Sequence, residues 1–150
     1  MLSQKAKYAL RALMMLAERA DDDLVLISEI AEQENVPKKF LEAILLELRK
    51  HGILDSKRGK SGGYRLARSP EQITFGEVIR ILDGHLAPLP CASVTAYRPC
   101  DDCGDPATCT VRWLMREVRD SISEVLDRRT LSDAVHHRRQ TGEPIPFYDI

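Results

Sequence analysis

Outside residues 90–109, the 150-residue chain contains no cysteine. It has no uncharged, proline-free apolar run long enough to span a bilayer, and it contains no internal repeat. The opening segment "MLSQKAKYALRALMMLAERA" is interrupted by Arg11 and Glu18 and lacks a small-residue cleavage site, so it reads as an amphipathic helix rather than a signal peptide. These absences point to a soluble cytoplasmic protein with no membrane partner. In that reducing compartment clustered cysteines serve more often as ligands or redox groups than as structural disulfides. All four cysteines fall in "PCASVTAYRPCDDCGDPATC", spaced C-x8-C-x2-C-x5-C.

Net charge is also nearly absent, at −1. Its distribution says more than its sum. Residues 49–68, "RKHGILDSKRGKSGGYRLAR", set Arg49, Lys50, Lys57, Arg58, Lys60, Arg65 and Arg68 against Asp55 alone. One compact basic patch on a near-neutral chain is the electrostatic footprint of nucleic-acid binding.

The patterning predicts a mainly α fold with a small β-hairpin. Apolar residues at Ala6, Ala9, Leu10, Leu13, Met14, Leu16 and Ala17 give a first helix. "LVLI" reads as a small strand, and Ser28 as the cap of a second helix, "EIAEQEN". Asn35-Val36 make a break, and Pro37 starts a third helix whose apolar face is Phe40, Leu41, Ile44, Leu45 and Leu48, closed by Gly52. Two short strands, Ile53 to Lys57 and Gly63 to Ala67, flank a glycine-rich basic loop in which Gly59, Gly62 and Gly63 permit close approach and positive φ. Helix-turn-helix plus a basic hairpin is a winged helix: the second helix of the pair enters the major groove, and the wing crosses phosphates toward the minor groove.

Thr74 and Glu77 form a capping box for a fourth helix, with Ile73 and Val78 as its staple. The cysteine stretch reads as a loop. Beyond it, Val111, Leu114, Met115, Val118, Ile122, Val125 and Leu126 recur at steps of three and four along the longest helix, a stripe suited to dimer formation. A short helix near "LSDAVHHRR" and a loose tail follow. The expected organisation is a winged helix-turn-helix DNA-binding domain over 1–84, a cysteine-rich sensor loop over 85–109, and a dimerisation helix with its tail over 110–150.

The DNA contacts expected from this layout are Lys38 and Lys39, in the first turn of the recognition helix, and Arg58 and Lys60 in the wing, which also carries Ser61, Gly62 and Tyr64. His51, His85, His136 and His137 read as solvent-facing or capping side chains, and Trp113 and Met115 as packing residues. Four thiolates on one flexible loop suit an iron–sulfur cluster, 2Fe–2S or 4Fe–4S. They also suit zinc, although structural zinc sites usually pair two C-x2-C knuckles and only one is present. A redox dithiol at Cys100 and Cys103, or inert cysteines, are the other readings. A thiol oxidoreductase lacks the expected βαβ surroundings and any further catalytic constellation, so no enzyme is expected. A winged helix that binds protein rather than DNA is the remaining alternative.

Nearly the whole chain resembles the IscR, NsrR and CymR group of bacterial winged-helix transcription regulators. "KAKYALRALMMLA" is similar to that family's first helix, "ISEIAEQENVPKKFLEAILLELRKHGIL" to its helix-turn-helix, and "SKRGKSGGYRLARSPEQITFGEVIRILDG" to its wing and fourth helix. The resemblance implies a repressor-like homodimer on a pseudo-palindromic double-stranded operator, with the long helices crossed at the interface. It implies that Cys91, Cys103 and Cys109 match the three loop cysteines that hold an iron–sulfur cluster in IscR-like members. Two positions depart from the pattern. The histidine that completes the IscR set is here Arg112, which cannot ligate a metal, and the first-helix carboxylate of other members is here Tyr8. Either Cys100 is the fourth ligand or the cluster keeps an open iron. A CymR-like branch lacks these cysteines and responds through thiol chemistry or a partner enzyme; the tail "PFYDI" resembles that branch and implies a protein partner.

Overall fold

The structure, a computed structural model, describes residues 2–19 and 23–141. The tail "PFYDI" lies outside the described residues. Among the described residues, six helices and one two-stranded antiparallel sheet appear in the order α1 (Gln4–Ala17), α2 (Ile27–Gln33), α3 (Lys38–Lys50), β1 (Leu54–Lys57), β2 (Gly63–Leu66), α4 (Phe75–Asp83), α5 (Thr110–Arg128) and α6 (Leu131–Thr141). Short 3-10 turns cover Pro70–Gln72 and Pro90–Ala92.

Helix α1 starts at Ser3, whose Oγ accepts from the Ala6 amide at 3.0 Å. The same hydroxyl donates to the Asp83 carboxylate, and the Ser3 amide donates to Asp83 Oδ2 at 2.9 Å, tying the start of α1 to the end of α4. Ala6, Ala9 and Ala12 are fully buried on α1, small enough for α4 and α6 to approach closely. With Leu13, Ile30, Leu41, Ile44, Leu45, Leu48, Ile53, Ile73 and Val78 they make one core.

Helix α2 begins earlier than its serine suggests. Leu26 occupies the cap without a side-chain bond, and Ser28 lies inside the helix. The cause is tertiary: Val25 and Tyr64 exchange backbone hydrogen bonds at 2.9 and 2.8 Å, so "LVLI" contributes a one-residue bridge beside β2 and the chain turns directly into the helix. Asn35 then takes φ 51, a left-handed conformation asparagine tolerates, and the turn delivers buried Val36 and then Pro37 to α3. At the other end of α3, Gly52 at φ 73 and the bonds Gly52 N to Arg49 O and Ile53 N to Leu48 O, both 3.0 Å, form a Schellman motif.

The wing pairs Leu54 with Leu66, Asp55 with Arg65, Ser56 with Tyr64 and Lys57 with Gly63. Helix α4 opens with half of the expected capping box: Thr74 Oγ1 accepts from Glu77 N at 3.2 Å, but the Glu77 carboxylate turns to Arg68 Nη2 at 2.6 Å, and Ile73 and Val78 are fully buried on either side. Helix α5 is different. None of its 19 residues is buried, and Val111, Trp113, Leu114 and Val125 are largely exposed. At its far end the chain returns to the core: Phe75 N donates to Arg129 O, Leu131 N donates to Ile73 O, both at 3.0 Å, and α6 packs on α1 with Leu131 fully buried.

Candidate functional site: a DNA face and a cysteine loop

Two groups of candidate residues lie on different parts of the molecule. The first is the α3–wing face. Lys38 and Lys39 are exposed in the first turn of α3, and Arg58, Lys60 and Ser61 are exposed at the tip of the hairpin. Arg49 Nη1 donates to Ser56 Oγ at 2.9 Å, joining the last turn of α3 to β1 and fixing helix and wing relative to each other. The composition marked Arg49 as basic but gave no sign of this linking role, which depends on its facing β1.

The glycines of the wing act in two ways. Gly63 sits at φ 144, and a Cβ there would lie 2.5 Å from the Val25 carbonyl oxygen. Gly62 has ordinary φ, yet a Cβ would lie 2.2 Å from the Lys57 carbonyl oxygen, so close packing of the turn excludes any side chain. Tyr64 differs from the other wing candidates: it is half-buried against the core while its backbone holds Val25.

The second group is the cysteine loop. Cys91 is buried in the 3-10 turn Pro90–Ala92, Cys103 and Cys109 are partly buried, Cys100 is exposed, and all four are free thiols. Cys109 caps α5, its Sγ accepting from the Arg112 amide at 3.4 Å. The thiols influence one another across the loop. Hydrogen bonding with Cys91 pushes the Cys100 thiol up from its ordinary pKa, with desolvation and the neighbouring Cys91, Cys103 and Asp102 adding to the shift. Desolvation pushes Cys103 up, followed by Cys109, Cys91 and Asp102. Cys100 and Cys103 therefore hold their protons more tightly, the first mainly through its hydrogen bond with Cys91 and the second mainly through desolvation.

The donor set fits a thiophilic cationic group: four free thiols lie on one loop, and a cation among them would favour their thiolate forms. The arrangement is open, however. Among the described residues no group of three or more His, Cys, Asp or Glu side chains is placed to hold a metal ion as it stands. Among the thiols, Cys91 acts most on Cys100 and Cys109 acts most on Cys103.

Arg112, where a ligand would be expected, faces the backbone instead. Its Nε donates to the Cys91 carbonyl at 2.9 Å and its Nη1 to the Pro106 carbonyl at 3.2 Å, while the guanidinium lies 5.6 Å from the Tyr97 ring centroid. Two turns further along α5, Arg119 Nη1 donates to the Ala92 carbonyl at 2.5 Å. The turn that carries Cys91 is thus held to α5 by two arginines seven residues apart. That spacing was visible in the sequence, but its acceptors are backbone carbonyls, which leave no mark there.

The histidines act locally. His51 Nδ1 lies 2.9 Å from the Glu47 carbonyl oxygen and His85 Nδ1 3.2 Å from that of Ala87, while His136 lies beside Ser132. Trp113 is 61% exposed on α5.

Residues 2–137 match the model of the family described as Rrf2, iron-dependent transcriptional regulator. The chain belongs to the Rrf2 family. It is 48% identical over 136 residues to an rrf2-like HTH-type transcriptional regulator of Rhodobacter capsulatus, covering 89% of this chain and 91% of the relative. It is also similar to solved structures. With CymR, the global cysteine regulator of B. subtilis, it shares 32% identity and a TM-score of 0.75 over 91% of this chain and 97% of that one. With T. potens IscR it shares 28% identity and a TM-score of 0.76 over 98% and 94% of the two chains. This Rrf2 member is a DNA-binding transcriptional regulator and not an enzyme, and its fold is the mainly α winged helix expected from the sequence. Among the described residues no helix is long and apolar enough to cross a membrane.

Proposed function

We propose that this Rrf2 protein is a cytoplasmic repressor that binds a pseudo-palindromic operator as a homodimer and releases or retains it according to the state of its cysteine loop. The observation that carries the sensing half is the linkage of that loop to α5: Cys109 caps the helix, and Arg112 and Arg119 hold the Cys91 turn against it. The family description as iron-dependent supports an iron–sulfur cluster as the group held. Cys91, Cys103 and Cys109 would hold it, with Cys100 as the fourth donor, since Arg112 is engaged with carbonyls and offers no lone pair. When bound, such a cluster supplies sensitivity to oxidants and to ligands that attack iron.

The protein's own part is mechanical. Drawing the thiols together displaces their protons and pulls the Cys91 turn toward Cys103 and Cys109. Arg112 and Arg119 pass that displacement to α5, whose exposed apolar stripe forms the dimer interface. Any change in how two α5 helices cross resets the spacing of the two recognition helices on their half-sites. On the DNA side, Lys38, Lys39, Arg58, Lys60 and Ser61 contact the duplex, the basic side chains mainly at phosphates, while Gly62 and Tyr64 shape the wing.

A second reading rests on the pairing of the thiols. Cys91 acts most on Cys100, and among the thiols Cys109 acts most on Cys103, a pairwise influence compatible with dithiol or zinc sensing without a cluster. Its relative would be CymR, a cysteine regulator. Visible absorption of anaerobically purified protein, with iron and sulfide counts, separates the two. Charge-transfer bands with stoichiometric sulfide are expected; a colourless, zinc-containing protein would favour the second reading.

A further inference from the structure

Helix α3 faces the core with Leu41, Ile44, Leu45 and Leu48, all fully buried. At about 3.6 residues per turn, the residues on the opposite side are Lys39, Ala43, Leu46 and Lys50, which fall within roughly 60° of one another around the axis. All four are exposed, and Leu46 is 40% exposed. A lone exposed leucine is common on protein surfaces. This one is placed differently. It stands in the middle of the outward stripe of the helix that a DNA-binding regulator of this fold presents to the major groove, with a lysine at each end and the cationic wing joined to it through Arg49 and Ser56.

The charge of the frame commits the stripe to DNA, and the chemistry of its centre specifies which DNA. Ala43 and Leu46 have no hydrogen-bonding group, so they cannot read the donors and acceptors of a base edge. What the major groove offers an apolar side chain is the 5-methyl group of thymine. From Lys39 to Leu46 the helix rises about 10 Å, close to three base-pair steps along one strand. We propose that Leu46, seconded by Ala43, is a specificity-determining residue that selects half-sites carrying thymine about three steps from the position engaged by Lys39. The inference rests on the DNA-binding assignment and is independent of what the cysteine loop holds.

The test uses the full-length dimer and an operator selected from a random duplex pool. Each thymine of one half-site is replaced in turn by deoxyuridine, which keeps the base pairing and removes one methyl group. Affinity should fall about threefold to fivefold at one or two positions. In Leu46→Ala and in Leu46→Gln, both compatible with an exposed helical site, that sensitivity should vanish. The proposal is overturned if no thymine is sensitive, or if the sensitivity persists in either variant that folds with an unchanged circular dichroism spectrum. Failure to select any duplex would fail the DNA-binding assignment itself, whereas tight binding without methyl sensitivity fails this inference alone.

Discussion

Helix α3 buries four large apolar side chains completely, whereas α5, at 19 residues the longest helix among the described residues, buries none. Both are amphipathic in sequence, yet their apolar faces are completed in different ways. The face of α3 is closed within the chain, by α1, α2, α4 and β1. The face of α5 is covered only partly, by α4 and the Cys91 turn. The difference teaches where stability resides: the face of α3 is closed within the chain, while α5 leaves apolar side chains exposed, the surface that the proposed dimer would cover.

The sharpest way to break this contrast is a pair of truncations. Leu45→Ala should cost about 2–5 kcal/mol in urea denaturation, because it opens a cavity in a closed core. Val125→Ala, at a side chain 60% exposed, should change the unfolding of the single chain by less than about 0.5 kcal/mol. It should instead raise the dimer dissociation constant in sedimentation. Equal unfolding costs would erase the distinction between the two helices.

Within the winged body, Gly63→Ala forces a side chain into left-handed space and against the Val25 carbonyl. A loss of about 1–3 kcal/mol is expected, with weaker binding to every duplex sequence as the wing lifts from Val25. Retention of full stability and affinity would mean that the Val25–Tyr64 bridge does not set the wing.

On the other side of the comparison, Arg112→Ala removes two bonds to loop carbonyls and should cost only about 1 kcal/mol of stability. Its main effect should be a smaller difference in operator affinity between the two states of the loop. An unchanged difference would place the coupling elsewhere. The smallest expected effect is at the joint between the halves. Arg80 and Asp127 pair across α4 and α5, with Arg80 Nη2 to Asp127 Oδ2 at 2.8 Å, and the hydrogen bond from Arg80 holds the Asp127 carboxyl below its usual range. A lowered carboxylate pKa stabilises the fold above the unfolded value, near pH 4, and the contribution disappears as pH falls through the lowered value. Both side chains are exposed enough for screening to keep this below about 1 kcal/mol. Asp127→Asn should flatten that part of the acid stability curve.

Much of the fold was legible because it is written locally. The Thr74 cap of α4, the glycine after α3 and the basic turn of the wing each act through neighbouring backbone, and each stands where the pattern put it. Ser28 misled because a capping serine is only a local preference, and the Val25–Tyr64 bridge, a contact between distant residues, fixed the helix start instead. The cysteine loop was legible in composition but not in geometry. Spacing showed four thiols near one another, but not that Cys91 alone is buried or that Arg112 and Arg119 grip the turn around it. Those contacts run from side chain to backbone carbonyl, and no residue type at the receiving end announces them.

The claim that joins the two halves is that the state of the cysteine loop sets the grip on DNA. Its most direct test is the operator affinity of one anaerobic preparation, at fixed salt, before and after treatment that strips the proposed cluster, or zinc in the second reading. A change of at least about tenfold, abolished by Cys103→Ser, is the expected result. Identical affinity in the two states would contradict the account.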